Sequence, residues 1–555
     1  MQRIKIRRIE CFRCIDFLKQ LVKYFELIHE KTNSLLTLKL NMKFVLLILF
    51  FFCNILLINA QTYNVVDFGA VGDGKTINTK TIQSAIDSCS TSGGGKVIFP
   101  PGTFLSGSIR MKSKVELFLS PGSIILGSDR IADYKAHAHY SLLLADGQKN
   151  ISIKGTGTIE GQGRQLVEKL IGTWKTDSMK YNRKNTISDS NDFWDIDKGR
   201  PKEKYRPELI NFENCENVTI SGITLKDASC WVQTYRSCKN LRINRIIVNS
   251  TSYWNNDGID IVNCQKVRIT NCDINSADDG ICLKSGSSNV YIADCKIRSS
   301  ASALKFGTSS EDVFENITVR NLFIYDTFRS AIALECVDGG IIRDVDIRNV
   351  KAFNTGNAIF IRLGQRNKSR PPGIVENIRI RNVYAEIPNS KPDSGYETEG
   401  PIDEGKYNLL PSSIVGIPGH LITNVKIENV TILFSGKSHK SYDYISLDSL
   451  HKVPEKIGDY PEFSMFGELP AWGFYIRHAS GISFKNIKLI NEKNDFRPAF
   501  VMDDLDGLLL NKLSIKHEIK NLPIIILHNV KNKKIRKLKL PVGFLQIAAI
   551  KDVQN

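Results

Sequence analysis

Three acidic residues stand out by type and spacing. Asp257 closes the run Asn255-Asn256-Asp257, and Asp278-Asp279 follows about one repeat later. Both clusters open the same kind of segment, DGIDIVNC in one case and DGICLKSG in the other. If the two segments are successive turns of one structural unit, Asp257 and Asp279 share a column, with Asp278 beside them. Like charges held that close raise the pKa of one member, and such a cost is typical of sites that need a proton donor beside a carboxylate. Taken singly, Asn-Asn-Asp-Gly and Ala-Asp-Asp-Gly are also ordinary turn sequences, because Asp and Asn favour turns and Gly follows them there. Two clusters one repeat apart favour chemistry.

The elements that must position these acids are repeats. The segments DGIDIVNCQKVRITNCDI, DGICLKSGSSNVYIADCKI, SALKFGTSSEDVFENITVRNLFI, SAIALECVDGGIIRDVDI and NAIFIRLGQ align with one another. Their period is roughly 22 to 28 residues, which signals a solenoid. Short Ile/Val/Leu runs punctuated by Gly, Asn, Asp and Ser read as strands between turns, and helical spacing is not sustained. A unit this short cannot close a core alone, so neighbouring units must stack. The expected architecture is all-β: a single-stranded parallel β-helix, right-handed by the chirality of parallel connections. Asn78 to Cys89, with Ile82, Ala85 and Ile86 at helical spacing and Gly93-Gly94-Gly95 behind them, predicts a short capping helix at the N-terminal end. It would cover the solenoid's open edge.

From about Tyr63 to about Asn491 the chain resembles glycoside hydrolase family 28, the polygalacturonases and their relatives. The resemblance rests on Asn255-Asn256-Asp257, the family's Asn-x-Asp motif, and on the pair Asp278-Asp279. Where the family has Gly-His-Gly this chain has Ala301-Ser302-Ala303, and where it has Arg-x-Lys this chain has Ala333-Leu334-Glu335. The resemblance implies that Asp278 is the general acid, that Asp257 and Asp279 activate water with inversion, and that Asn255 orients the acid or a sugar hydroxyl. Asn256 and Ser302 join the expected substrate-binding set through their motif positions. In the coil alignment Lys305 falls in the Ala333 column one coil earlier, and Arg362 in the Glu335 column one coil later. Either these cations replace the missing clamp, or Glu335 and Arg362 form a structural ion pair. Arg329, two coils on in the Asp278 column, is a further candidate for gripping a carboxylate. Trp231, Trp254 and Tyr235 are candidates for stacking on sugar faces, or else packing residues.

The rest of the chain sets the context. Residues 1–41 are basic and irregular and are expected to be an unstructured upstream extension. Met42-Lys43 then opens the apolar run FVLLILFFFCNILLINA before Gln61, a signal peptide by charge, length and ending, with a membrane anchor as the alternative. Residues 61–555 would be the catalytic β-helix, secreted or periplasmic and without stable membrane insertion. The formal net charge is +17; residues 1–60 hold ten Lys and Arg against four acids, leaving +11 for the remainder. That balance suits an acidic polysaccharide partner, and no nucleic-acid module is recognisable. Nine of the twelve cysteines follow residue 60. Cys215, Cys238 and Cys264 recur at coil spacing, as do Cys272 and Cys295, which suggests stacked interior thiols, although the compartment permits disulfides. No Cys-x-x-Cys lies beyond residue 60, and neither metal nor cofactor is expected.

Polar spans at 164–205, 365–374, 387–421 and 436–472 break the periodicity and are expected to wall the substrate cleft. They carry Trp174, Trp194, Arg366, Arg370, Tyr396, Glu397, Glu399 and His420. The combined expectation is a monomeric, inverting, exo-acting hydrolase of a pectin-like acidic polysaccharide. A β-helix polysaccharide lyase and a non-catalytic carbohydrate-binding solenoid are the alternatives.

Overall fold

Alternation of apolar and polar residues at period two makes each coil. Ile259 and Ile261, Ile281 and Leu283, Leu304 and Phe306, Ile332 and Leu334, and Ile359 and Ile361 are all buried, pointing into one continuous core. Their neighbours Asp260, Cys282, Lys305, Ala333 and Phe360 pair in that order on the outer side. The computed structural model describes Lys23 and the residues from Gln61 to Ile550, except 135–139, 182–193, 196–198, 390–407, 436–437, 441–444, 494, 517–522 and 540–547. The expected extension and signal peptide, and the loop residues Tyr396, Glu397 and Glu399, lie outside the described residues.

The strands pair in parallel, coil upon coil, into a right-handed parallel β-helix. Three columns run along it. Residues 259–262 and 281–284 belong to the column that bears the acids, 267–270 and 290–293 to a second, and 273–276 and 296–299 to a third. Spacing in sequence therefore becomes stacking in space at about 4.8 Å per coil. The register agrees with the alignment: Lys305 pairs with Ala333 and Glu335 with Arg362. The Lys-rich C-terminal segments also form coils, with Phe500–Lys516 pairing with Ile525–Lys539 and that with Ala548–Ile550.

The capping helix spans Thr79–Thr91 and buries Ile82, Ala85, Ile86 and Cys89. Asn78 precedes it but caps a loop rather than the helix: its side chain accepts from Val71 N at 2.7 Å and donates to Thr76 O at 2.7 Å. A second helix, Gly163–Tyr181, occupies the start of the span expected to be loop. Leu166, Val167, Leu170 and Ile171 carry its helical spacing, and Leu166 and Val167 are buried. Among the described residues no helix is long and apolar enough to cross a membrane.

The nine described cysteines are free and buried. Cys238 and Cys264 touch across coils, Cys238 N to Cys264 Sγ being 3.3 Å. Burial pushes the Cys89 thiol up to about 11 and the Cys336 thiol up to about 12, so neither is a thiolate at neutral pH. In protein comprising residues 61–555, Ellman's reagent should label essentially none of these thiols in buffer and all nine in unreduced denaturant. Fewer than nine after denaturation would reveal a disulfide.

Candidate functional site

Gly258 and Gly280 let the acidic column form. A Cβ on Gly258 would sit 2.6 Å from Gly280 O, and one on Gly280 would sit 2.7 Å from Ala303 O. Glycine follows each Asp because the next coil's backbone passes that close. Gly258 N donates to Asp279 O at 2.8 Å and Gly280 N to Ser302 O at 2.8 Å, which stacks residues 257, 279 and 302. One carboxylate oxygen from each of Asp257 and Asp279 and the Cys282 thiol lie within 4.8 Å of one another. Asp278 joins them from the preceding position, its Oδ1 accepting Asp279 N at 2.9 Å. Its backbone carbonyl accepts the hydroxyls of Ser276 at 3.0 Å and Ser299 at 2.5 Å.

Buried acids need cations, and the outward positions supply them. Lys284 Nζ lies 2.9 Å from Asp257 Oδ2 and 2.8 Å from Asp260 Oδ1. Lys305 Nζ lies 3.1 Å from Asp279 Oδ2 and 3.7 Å from Glu335 Oε2. Small neighbours, Cys282 and Ala333, flank Lys305 in its column. Trp231 lies between two cations, with Lys284 Nζ 4.2 Å and the Arg236 guanidinium 5.3 Å from its ring centre, contacts that pin the ammonium.

These partners separate the acids. Asp278 is pushed up to about 7 by burial and by the charges of Asp257 and Asp279. At Asp279 burial works against ionisation, but Lys305, Arg329, Lys284 and the Ser302 N–H, 3.0 Å from its Oδ1, hold the carboxyl below its usual range. Asp257 is pushed up to about 8 and Asp260 to about 6, by burial first, with Lys284 opposing in both. Burial likewise drives Glu335 to about 8. Asp257, Asp279 and Cys282 could in principle ligate a metal. Lys284 and Lys305 already answer the two carboxylates, and burial keeps the Cys282 thiol protonated and hydrogen-bonded to Gly307 O at 3.1 Å. The donor set therefore fits ammonium partners better than a divalent ion.

A cavity of about 630 Å³ opens over the acids, lined among others by Asp257, Asp278, Asp279, Asn255, Trp231 and Trp254. Lys305 and Arg329 also reach it. Asn255 adopts φ 61, a conformation Asn tolerates better than most residues, and its Oδ1 accepts Arg206 Nη2 at 2.6 Å. Other sequence candidates go elsewhere. Tyr235 is fully buried against Phe212, its hydroxyl donating to Gln233 Oε1 at 2.9 Å, so it is core and not a sugar platform. Asn256 is also fully buried; its Nδ2 holds Cys230 O at 2.9 Å and its Oδ1 accepts Ser250 Oγ at 2.9 Å. Ser302 contributes its backbone N–H. Glu335 turns to Lys305 rather than to Arg362. Arg362 is buried on carbonyls, giving Nη1 to Gly416 O at 2.9 Å and Nη2 to Glu455 O at 2.7 Å.

Four residues absent from the sequence candidates matter here. Lys284 and Asp260 were within reach, because the period-two alternation that buries Ile281 and Leu283 turns Lys284 outward. Tyr460 and Glu462 lie in the 436–472 span expected to wall the cleft, although nothing in the sequence singles out either residue; residues 453–466 of that span cross the site. Tyr460 OH lies 3.3 Å from Lys305 Nζ, Glu462 pairs with Arg329, and Gln365 N donates to Ile457 O at 2.7 Å. Leu450, Val453, Phe463 and Phe466 anchor that span in a small apolar cluster with Phe360, Tyr475 and Val501.

Residues 89–391, more than half of the chain, match Glycosyl hydrolases family 28. The chain belongs to that family. A probable polygalacturonase of Vitis vinifera is 27% identical over 405 residues, 69% of this chain and 76% of that protein. An exo-poly-alpha-D-galacturonosidase of Dickeya chrysanthemi is 29% identical over 256 residues, 41% of this chain and 42% of that protein. The family 28 chain therefore spans less than half of the bacterial relative's length. Among solved structures, a hyperthermoactive exopolygalacturonase from Thermotoga maritima matches with TM-score 0.52 and 22% identity, over 67% of this chain and 87% of that one. That likeness concerns the fold.

Lys284→Met tests the balance of buried charge in this family 28 site. It strands Asp257 and Asp260, and removing one partner of a buried pair costs about 3 kcal/mol or more. Both acids are raised in the fold, so each favours folding most when protonated, and stability falls as pH climbs through about 6 and about 8. Urea unfolding should show a large loss at pH 8 that narrows at pH 5; an equal loss at both would contradict these pairings.

Proposed function

We propose that this family 28 glycoside hydrolase cleaves a pectin-like acidic polysaccharide with inversion, from chain ends and outside the cell. One observation carries the reading: Asp257 and Asp279 bring carboxylate oxygens within 4.8 Å of each other while Asp278, the acid kept protonated, stands next to them. A water can bridge the two groups at that separation, accepting from the Asp257 carboxyl, which burial pushes up to about 8, and donating to the Asp279 carboxylate. Asp278 gives its proton to the glycosidic oxygen, the C–O bond breaks, and the water attacks the anomeric carbon from the opposite face. Asp279, held ionised by Lys305 and Arg329, takes the water's proton, while Asp257, tied to Lys284, positions the water. The product is a hemiacetal of inverted configuration, and exchange with solvent returns the proton to Asp278.

The acidic substrate is supported by the chain's positive balance, by Lys305 and Arg329 in the cavity wall, and by the substrates in the relatives' names. Lys305 supplies charge near the place where the family's Arg-x-Lys motif is replaced by Ala333-Leu334-Glu335. Glu462 already pairs with Arg329, so a sugar carboxylate at that cation must compete with it. Chain-end action is supported by residues 453–466, which cross the site at Lys305 and Arg329 and narrow the cleft there. A lyase would need a neutral Lys or Arg to take a proton from the sugar, whereas Lys284, Lys305 and Arg329 are all held cationic by neighbouring acids, although burial opposes it.

Reducing-end assays on polygalacturonate and its oligomers, with proton NMR of the first product, test this. Asp278→Asn should cost roughly 10²- to 10⁴-fold in kcat, and the first-formed anomer should be inverted. An unsaturated, ultraviolet-absorbing product, or substrate binding without cleavage, would overturn the hydrolase reading. The pH profile gives a second check. Asp278 must keep its proton, so kcat/KM should fall as pH rises past about 7. Lys305 is the first of the groups holding Asp279 down, so Lys305→Met should move the acidic limb to higher pH; an unmoved limb would remove Asp279 from the base role.

A further inference from the structure

The third column of the β-helix carries an outward face that the catalytic chemistry does not use. Its inward residues Ile297, Ile324, Ala352 and Ala385 are buried and fill the core. In register on the outside stand Lys296, Phe323, Lys351 and Tyr384, one per coil. Cation and aromatic alternate over four coils, a run of roughly 14 Å. Tyr325 and Phe353, paired with each other, flank that row.

The aromatic side chains form one ridge. Ring centres of Phe323 and Phe353 are 5.5 Å apart, and those of Phe353 and Tyr384 are 5.6 Å apart. Phe323 is 42% exposed, and Lys296 Nζ sits 4.9 Å from the Tyr325 ring centre. Beside the ridge runs a groove of about 560 Å³, lined by Phe323, Lys351 and Tyr384 on one side and by Asn321, Asn349 and Asn382 on the other. The three asparagines form a ladder: Asn349 Nδ2 donates to Asn321 Oδ1 at 2.9 Å and Asn382 Nδ2 to Asn349 Oδ1 at 3.0 Å. Each amide spends one N–H on the ladder and has two. Tyr384 donates its hydroxyl to Glu386 at 2.6 Å, which fixes the ring.

Phe323 is exposed and Tyr325, Phe353 and Tyr384 are half-buried, and a contiguous apolar patch left partly open in this way marks an interaction surface. The chemistry of the groove selects the occupant. Flat apolar rings suit sugar faces, side-chain amides suit sugar hydroxyls, and ammonium groups at Lys296 and Lys351, on either side of Phe323, suit carboxylates. Lys296 also lies 3.5 Å from Asp273 Oδ2; a neutral glycan would leave Lys351 without use, and an apolar protein partner would bury both lysines at a cost.

We propose that this face is a second carbohydrate-binding surface, separate from the catalytic cavity, which holds a stretch of acidic polysaccharide along the helix axis. The identity of the polymer rests on the substrate reading above. Holding one part of a long chain raises the effective concentration of the rest at the catalytic cavity, so the surface matters for polymer and not for short oligomers.

Affinity electrophoresis through gels containing polygalacturonate tests it. Asp278→Asn serves as the parent protein, so binding is read without cleavage and a failure of the hydrolase reading stays distinguishable. Phe323→Ala combined with Tyr384→Ala, and separately the exposed change Lys351→Glu, should each weaken retention about fivefold or more. Thermal unfolding should be unchanged for Lys351→Glu. In the active enzyme the same changes should leave kcat/KM on a trimer within about twofold and lower it on polymer. Unchanged retention in both variants overturns the proposal. So does equal retention of the parent on a neutral polysaccharide, or a parent dimer that these changes convert to monomer in sedimentation.

Discussion

Five carboxyl groups and three cations share one face of this β-helix, and neutralising them largely in place is the constraint the site obeys. Asp257, Asp260, Asp279 and Glu335 are each at most 5% exposed. Isolated charges would be intolerable there, and paired ones are tolerable only with close partners. Lys284 and Lys305 therefore belong to the floor of the cavity as much as the acids do. They also act unequally. Lys305, with Arg329 and Lys284, keeps Asp279 ionised, while Lys284 must be shared by Asp257 and Asp260, and Asp278 is left without an adjacent ammonium. That supply sets Asp279 apart, held below the usual carboxylate range, whereas burial outweighs it at Asp257, raised to about 8, and raises Asp278 to about 7.

The backbone sets those distances. Coils stack because Ile, Leu and Phe point inward from each strand, and the stacking brings residues some two dozen positions apart within hydrogen-bonding reach. The two glycines after the acids allow the closest approach. The site is thus supported by rigid strands on one side and crossed on the other by residues 453–466, fastened through their own apolar cluster and through Arg329, Lys305 and Gln365. An enzyme built this way has a firm floor, and its cleft is shaped by an insertion.

The fold was legible because period-two alternation, repeated at coil length, leaves one architecture that buries its apolar side. The register was legible too: Lys305 opposite Ala333 and Glu335 opposite Arg362 are found as aligned. Sequence reading failed where side chains choose among partners. Tyr235 and Trp231 have similar chemistry in sequence, yet one turns inward and the other lines the cavity. Glu335 meets Lys305 rather than Arg362, because Lys305 can reach past Ala333 while Arg362 finds three backbone carbonyls. Asn256 precedes a catalytic candidate but folds inward to hold the coil before it. Helix Gly163–Tyr181 was missed because its apolar spacing occupies barely two turns within a polar stretch. The 436–472 span was legible as a cleft wall, but nothing local marks Tyr460 and Glu462 as the residues in it that reach across to a distant coil.

The central claim is that neighbouring cations divide the acids into a proton holder, Asp278, and a carboxylate, Asp279. Carbon-13 NMR titration of aspartate side-chain carboxyls, assigned with Asp278→Asn and Asp279→Asn, measures that division directly. The account predicts that the Asp278 signal titrates at about 7 while the Asp279 signal stays ionised to below the ordinary carboxylate range. Two signals titrating together near the ordinary range, or Asp279 holding the proton in place of Asp278, would contradict it.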